Sequence, residues 1–189
     1  TFLFEGWMLM ARRAPNLDRG FAFEHWLDYD AEVHAAQRVH LREREVRCDK
    51  PVLGWDKDAA VIEQARSIKE AFFAEADIRF TAEPLQQMAV DCAGGLMVAN
   101  PPYGERMGRE EDLGLLYREL GEVSKRVARG GRLLVFTTNR KAARQIRMTA
   151  DRTWTLFNGA LEGVLYRYPI RAAGEIQRQG EDSYSAEET

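Results

Sequence analysis

The stretch VANPPYGERMG, residues 98–108, joins a short apolar run to an amide, two prolines and an aromatic ring. Each proline restricts its own backbone and biases the preceding residue toward an extended shape. Because proline has no N–H, few nearby donors compete for the side-chain oxygen of Asn100 and the carbonyl of Pro101. The segment therefore predicts a pair of available hydrogen-bond acceptors where a strand ends.

Short apolar runs alternate with helical patterns on both sides of this stretch, which predicts an α/β fold with a parallel sheet. The last two apolar runs predict a closing antiparallel hairpin. The run that leads into Asn100 is apolar throughout, which is typical of a strand buried on both faces. The predicted strands are 51–56, 78–80, 94–100, 132–138, 153–159 and 163–170.

Helices are predicted between these strands from capping residues and spaced apolar positions. Asp30 caps a helix over 31–45, and Asp58 caps one over 59–74. A further helix contains Leu113 to Val127 and is closed by glycines. The apolar stripes expected to pack inward are Val33, Ala36, Val39 and Val46 for the first helix, and Val61, Ile62, Ala65, Ile68 and Phe72 for the second.

Composition limits the function classes. The chain has 189 residues and a net charge of −3, and no apolar run approaches the ~20 residues that cross a membrane. Cys48 and Cys92 lie in no metal-ligand spacing, which predicts reduced thiols, a cytoplasmic protein and no metal, with a structural disulfide between the two as the alternative. Two basic clusters are interpreted as solvated helix faces, with phosphate binding as the alternative. They are Arg38, Arg42, Arg44 and Arg47, and Arg140, Lys141, Arg144 and Arg147.

Two predicted strands end in residues whose side chains could bind a ligand. Asp56 ends the first predicted strand, where a carboxylate accepts both hydroxyls of a ribose, although an acid before a helix is often only a cap. At the other strand end, Asn100 and Pro101 have acceptors for both hydrogens of an exocyclic amino group. Tyr103 has a ring that can stack on a base, worth ~1–3 kcal/mol. The alternative is a proline-rich turn. His25, His34 and His40 are interpreted as surface or structural residues.

The motif Asn100-Pro101-Pro102-Tyr103 resembles that of S-adenosylmethionine-dependent methyltransferases that modify exocyclic amino groups. Together with GWDKDAAVIEQAR (54–66) and NGALEGVLYRY (158–168), it resembles the bacterial 23S rRNA guanine-N2 methyltransferases of the RlmL and RlmKL type. The resemblance covers nearly all of residues 1–170. It implies a Rossmann-like methyltransferase sheet with a C-terminal antiparallel hairpin, with 171–189 as a polar tail or interdomain linker.

This resemblance also assigns residues. It implies that Asp56 binds the cofactor ribose and that Thr1 and Phe2 flank the cofactor loop. Members of the family have an aspartate at the position of Pro84 that contacts adenine; here the candidate substitutes are Glu83 beside it and a backbone amide. The first strand and glycine loop of the family precede TFLFEGW, so the chain is expected to be a fragment, inactive alone, of a parent with fused THUMP and second methyltransferase domains.

The implied reaction is direct methyl transfer to a guanine N2 in 23S rRNA or its assembly precursor. Asn100 and Pro101 hold the amino group, and Tyr103 stacks on a guanine taken out of its stack. Two alternatives stay open from the sequence. One is an N6-adenine methyltransferase on DNA or RNA, because the motif does not encode the base. The other is a non-catalytic module that binds RNA or a partner.

Overall fold

The computed structural model describes residues 1–102 and 110–172. It separates into two compact units, Thr1–Glu83 and Pro84–Thr189. Helices alternate with parallel-paired strands before a closing antiparallel hairpin, which confirms the predicted α/β class. None of the helices in the described ranges combines the length and the apolar character that a membrane crossing requires.

The first unit is built on a parallel strand pair covered by a helix. Val52 lies opposite Ile78 and Asp56 opposite Ala82. The elements are α1 (Phe2–Ala11), a 3-10 turn (Ala22–His25), α2 (Ala31–Glu43), β1 (Val52–Asp56), α3 (Ala59–Phe72) and β2 (Ile78–Ala82). The buried core joins α1 to both strands and consists of Phe4, Trp7, Ala11, Val52, Ala76 and Ile78.

Gly54 allows α1 to lie close to the sheet. A Cβ atom at this position would stand 2.5 Å from Leu3 Cδ1 and 2.8 Å from Phe80 Cδ1. Both distances are shorter than real Cβ contacts, so a larger residue would require the Leu3 and Phe80 side chains to move. The glycine of the GWD sequence therefore makes room for these two side chains over the strand.

The direction of α1 is opposite to that of the strands. At its C-terminal end, the carbonyl of Ala11 accepts a hydrogen bond of 2.8 Å from the N–H of Val46, which precedes β1. Arg13 pairs with Glu75, which precedes β2. Ten helical residues span about 15 Å, close to the length of a five-residue strand. The Thr1 end of α1 therefore lies toward the carboxyl ends of β1 and β2.

The predicted inward face of α2 is wrong. Asp30 caps the helix as predicted and accepts hydrogen bonds from the N–H groups of Glu32 and Val33. Val33 and Val39, however, are both more than half exposed. The partly buried face is polar: His34 Nδ1 lies 2.8 Å from the Tyr29 hydroxyl and its ring packs on Phe23. This contact confirms that His34 is structural.

Helix α3 begins after Asp58, its predicted N-cap. Fewer of its apolar residues are buried than the sequence pattern suggested. The Asp58 carboxylate accepts a hydrogen bond of 2.8 Å from the N–H of Ala60. Ile62 is buried, whereas Val61, Ile68 and Phe72 are exposed. The apolar stripe is therefore buried only near its N-terminal end, where Ile62 is buried and Ala65 is half-buried.

The second unit is built on a mixed sheet in the order β3-β4-β6-β5, with β3 parallel to β4 and the last two strands antiparallel. The antiparallel pair is the predicted C-terminal hairpin. The elements are a 3-10 turn (Leu85–Gln87), β3 (Leu96–Ala99), α4 (Glu110–Val127), β4 (Arg132–Thr137), α5 (Arg140–Ala143), a 3-10 turn (Arg144–Ile146), β5 (Arg152–Asn158) and β6 (Leu161–Pro169).

Strand β3 is not buried on both faces, which corrects the prediction from its apolar sequence. Within the described ranges it pairs only with β4 and therefore forms an edge of the sheet. Leu96 is 61% exposed and Val98 is 44% exposed. The neighbouring β4 is an inner strand of the sheet, where Leu133 and Val135 are fully buried.

Gly121 sets how closely the segment after β4 approaches α4. A Cβ at Gly121 would stand 2.2 Å from the carbonyl oxygen of Ile146. Gly114 faces Gln145 at a looser distance, with 3.7 Å to its Cγ atom. Helix α5 and the 3-10 turn after it were absent from the sequence prediction. They pack on α4 through the buried Ile146 and its neighbours.

Candidate active site

Asp56 ends β1 and is exposed at the carboxyl edge of the first sheet. Its Oδ1 atom accepts a hydrogen bond of 2.9 Å from the N–H of Asp58. The cap of α3 is Asp58 itself. Asp56 is therefore not the helix cap, which removes the simplest structural explanation for an acid at this strand end. Its second oxygen, Oδ2, has no donor among the described residues.

Glu83 lies beside Asp56 at the same edge. Its N–H donates a hydrogen bond of 3.0 Å to the carbonyl of Asp56, and its side chain is half-buried. Glu83 is the last residue of the first unit, and Pro84 begins the second. Because a proline has no N–H, Pro84 presents neither a carboxylate nor a backbone donor. Glu83 is thus the acid that accompanies Asp56.

Thr1 and Phe2 stand at the start of α1, and both are exposed. Because α1 runs against the strands, this end lies toward the carboxyl ends of β1 and β2. The first unit therefore gathers four predicted cofactor residues toward one edge: Thr1, Phe2, Asp56 and Glu83.

Asn100, Pro101 and Pro102 leave β3 at the carboxyl edge of the second sheet. Asn100 is exposed, while Pro101 is buried and Pro102 half-buried. The Asn100 side chain forms no hydrogen bond with another described residue, so its carbonyl oxygen is available to a ligand. Tyr103, the fourth predicted catalytic residue, lies outside the described residues.

A buried hydrogen-bond network supports the neighbouring strand end. The Tyr117 hydroxyl of α4 donates to Thr137 Oγ1 at 2.6 Å, and both side chains are fully buried. The same Oγ1 accepts a hydrogen bond of 3.0 Å from the N–H of Asn139. Asn139 Oδ1 in turn accepts from the N–H of Ala142 at 2.9 Å and caps α5. The sequence analysis did not predict this network. The only feature that pointed to it was the pair of polar residues, Thr137 and Asn139, at the end of a predicted strand.

The thiols and potential metal ligands do not add to the site. Cys48 and Cys92 are free, as predicted. Burial, together with the charge of Asp91, raises the pKa of the Cys92 thiol, which keeps it protonated at neutral pH and a poor nucleophile. Within residues 1–102 and 110–172, no three His, Cys, Asp or Glu side chains are grouped to hold a metal ion.

The chain is similar to known methyltransferases. It is 35% identical over 181 residues to the ribosomal RNA large subunit methyltransferase K/L of Syntrophotalea carbinolica, covering 90% of this chain and 25% of that protein. The chain thus spans about a quarter of the length of such relatives.

Solved structures give the same assignment of fold. One of them is SMU.472, which is assigned as a methyltransferase and was solved in complex with SAH. It matches with a TM-score of 0.80 and 26% sequence identity, and the match covers 91% of this chain and 46% of SMU.472. A predicted N6-adenine-specific DNA methylase from Listeria monocytogenes str. 4b F2365 matches with a TM-score of 0.75 and 29% identity over 88% of this chain and 43% of that one.

The family model of the RMKL-like methyltransferase domain matches residues 1–167. This range contains both strand ends described above and nearly all of the described residues. The chain therefore belongs to the family of RMKL-like methyltransferase domains.

Proposed function

We propose that the protein transfers a methyl group from S-adenosylmethionine to the exocyclic N2 amino group of a guanine in 23S rRNA. The observation that carries this proposal is the exposed Asn100, followed by two prolines, at the carboxyl exit of β3. The family match and the rRNA methyltransferases among its relatives support the same reaction.

The residues at the edge of the first sheet fit the proposed cofactor. Asp56 is exposed and keeps one carboxylate oxygen free of described donors, so it can accept the ribose hydroxyls. Glu83 is the candidate for the adenine amino group, and Thr1 and Phe2 border the methionine end. When bound, the cofactor supplies an electrophilic methyl group on a sulfonium.

The residues at the edge of the second sheet position the acceptor amine. Asn100 Oδ1 and the Pro101 carbonyl accept its two N–H groups and orient its nitrogen as the nucleophile. Tyr103 stacks on the flipped guanine and offsets part of the free energy of unstacking. Proximity and orientation then supply most of the acceleration, because no side chain needs to form a covalent bond.

Residues 1–170 are proposed to be the methyltransferase domain and 171–189 a tail or linker. Leu96 and Val98 are exposed beside an edge of β3 that is unpaired among the described residues, and a further parallel strand there would cover them. We propose that the gene product supplies this strand and the cofactor glycine loop before Thr1, that the chain alone is inactive, and that fused THUMP and second methyltransferase domains complete a cytoplasmic enzyme.

A second candidate is N6-adenine methylation of DNA or RNA. The similarity to the Listeria monocytogenes protein favours it, and two acceptors serve any exocyclic amino group equally well. A third candidate, a module that binds RNA or a partner without catalysis, predicts no methyl transfer at all.

The test incubates the natural gene product with methyl-labelled S-adenosylmethionine and either an unmodified 23S rRNA transcript or adenine-rich DNA. Nucleosides released by digestion are then identified by mass spectrometry. We expect labelled N2-methylguanosine from the rRNA. Label in N6-methyladenosine from the rRNA, or in N6-methyl-2′-deoxyadenosine from the DNA, would replace the proposal with the second candidate, and no labelled nucleoside from either substrate would favour the third.

A further inference from the structure

The C-terminal hairpin extends past the carboxyl edge of the second sheet. Strand β4 ends at Thr137, which lies opposite Val164 of β6. Beyond this point the described ladder continues only between β5 and β6, in the pairs Leu156–Gly163, Phe157–Glu162 and Asn158–Leu161. At about 3.3 Å per residue, these three pairs carry the tip of the hairpin about 10 Å beyond the end of β4.

The hairpin tip, residues 156–162, lies on the same edge as the Asn-Pro-Pro segment. Ala99 of β3 lies opposite Val135 of the parallel strand β4, so Asn100 leaves the sheet at the edge past which the hairpin extends. The strand order places β6 two positions and β5 three positions from β3. Because neighbouring strands are about 4.8 Å apart, the tip is laterally about 10–14 Å from β3. It is therefore within reach of nucleotides that flank a guanine held by Asn100.

The hairpin tip exposes apolar side chains. Phe157 is 69% exposed, and Leu156 and Leu161 on the same turn are exposed as well. The Phe157 ring contacts no other aromatic ring among the described residues. A cluster of exposed apolar residues stabilises the fold little and is typical of a surface that meets a partner. The proposed reaction assigns no role to this tip.

Packing fixes the position of the Phe157 ring. Gly163 leaves room for the ring of Phe136 against β6, since a Cβ atom there would stand 2.5 Å from Phe136 Cζ. Residues that lie opposite each other in an antiparallel pair share a face, so Phe157 and Glu162 project to the same side. On that side Glu162 pairs with Arg140 of α5 at 3.5 Å. The tip is thus tied to α5, and its only carboxylate is neutralised.

The charges beside the hairpin favour a nucleic acid as the partner. Between residues 139 and 152 the only acid is Asp151, which pairs with Arg167 at 2.8 Å. Arg144 and Arg147 in this segment are exposed, and neither forms an ion pair with a described residue. The chain that leads from β4 into the hairpin is therefore cationic. A cationic surface next to an exposed aromatic ring is typical of proteins that bind single-stranded nucleic acid.

We propose that Phe157 stacks on a base that flanks the target guanine and thereby positions the RNA strand beside Asn100. The proposal rests on the proposed RNA substrate. Phe157 is a positioning residue, because a base next to the target is bound equally in the ground state and the transition state. Stacking requires the face of an aromatic ring, so tyrosine should replace Phe157 and leucine should not.

The test measures RNA binding apart from methyl transfer, using the natural gene product and a fluorescein-labelled single-stranded RNA oligonucleotide of mixed sequence. Phe157→Leu keeps an apolar side chain and removes the ring, whereas Phe157→Tyr keeps the ring. The matched control is Phe72→Leu. Phe72 is 67% exposed but ends α3, just before the chain enters the amino end of β2. Affinity for S-adenosylhomocysteine and the far-UV circular dichroism of each variant report whether the fold is retained.

We expect Phe157→Leu to weaken RNA binding at least about fivefold, the loss of one stacked base. The slope of log affinity against log salt should not change, because no phosphate contact is removed. The KM for the 23S rRNA transcript should rise by a similar factor with kcat nearly unchanged. Phe157→Tyr and Phe72→Leu should both stay within about twofold of the wild type.

Unchanged RNA affinity in Phe157→Leu would overturn the stacking contact even if the wild type methylates rRNA. If that variant instead speeds amide exchange in a part of the gene product outside residues 1–189, the hairpin tip contacts protein and not RNA. Equal losses in Phe157→Leu and Phe157→Tyr would also overturn the proposal, because the ring would not be their cause. A loss confined to Phe157→Leu in a protein that methylates no rRNA would support the stacking contact while refuting the proposed function.

Discussion

Replacing Gly121 with alanine tests the close packing that builds the second unit. The added Cβ would stand 2.2 Å from the carbonyl oxygen of Ile146, whereas a carbon–oxygen contact needs about 3.3 Å. The oxygen belongs to the backbone and cannot rotate away, so the turn after α5 must move by about 1 Å. The matched change is Gly114→Ala on the same helix, where the nearest atom is Gln145 Cγ at 3.7 Å.

The two substitutions should change the free energy of unfolding in opposite directions. Alanine in a helix interior is favoured over glycine by about 1 kcal/mol. Overpacking against a fixed backbone atom costs about 3 kcal/mol, the upper part of the usual range. Gly121→Ala should therefore destabilise the unit by about 2 kcal/mol, and Gly114→Ala should stabilise it by up to about 1 kcal/mol.

Amide hydrogen exchange in peptides that cover β4 measures this effect within the natural gene product. A loss of about 2 kcal/mol corresponds to roughly thirtyfold faster exchange. Gly114→Ala should slow exchange in the same peptides. Equal effects of the two substitutions, or slower exchange in Gly121→Ala, would refute the close approach of the two segments.

Three further changes probe other parts of the account. Tyr117→Phe removes the donor to the buried Thr137 hydroxyl and should destabilise β4 by about 1–3 kcal/mol, measured by the same exchange experiment. Asp56→Ala should weaken S-adenosylhomocysteine binding at least about tenfold in calorimetry and leave RNA affinity unchanged. Asp151→Asn removes a carboxylate whose pKa is lowered, chiefly by its hydrogen bond to Arg167. A lowered folded pKa contributes stability above the unfolded value of about 3.9, which is lost as pH falls through the folded pKa. The urea midpoints of wild type and variant should therefore differ at neutral pH, begin to converge as pH falls below about 3.9, and coincide below the lowered folded pKa.

Each of these changes has a contradicting result. Unchanged exchange in Tyr117→Phe would show that the network does not support the strand end. Equal losses of cofactor and RNA affinity in Asp56→Ala would remove its assignment to the ribose. A difference between wild type and Asp151→Asn that persists at low pH would show that the ion pair is not its cause.

Local signals in the sequence predicted the elements well. Asp30 and Asp58 cap the helices that they were expected to cap, because a cap is decided within one turn of the chain. The strand that leads into Asn100 also stands where its apolar run placed it. Asn100 is exposed and accepts no hydrogen bond from another described residue, in agreement with the acceptor predicted at this strand end.

The sequence did not predict which faces of the helices and strands are buried, because burial depends on tertiary contacts. The apolar positions Val33 and Val39 suggested an inward face for α2, but Tyr29 and Phe23 contact His34 on another face. The burial of β3 depends on which strands pair with it and not on its own apolar residues. Helix α5 has only four residues, too few for any periodic pattern to be visible.

The most direct test of the central claim is single-turnover methyl transfer by the natural gene product and its Asn100→Ala variant, with 23S rRNA transcript and S-adenosylmethionine in excess of their dissociation constants. The side chain is exposed at a strand exit, so the variant should fold and bind cofactor normally. If Asn100 orients the amino group, the rate of methyl transfer should fall at least about a hundredfold. A rate within about twofold of the wild type would contradict the account.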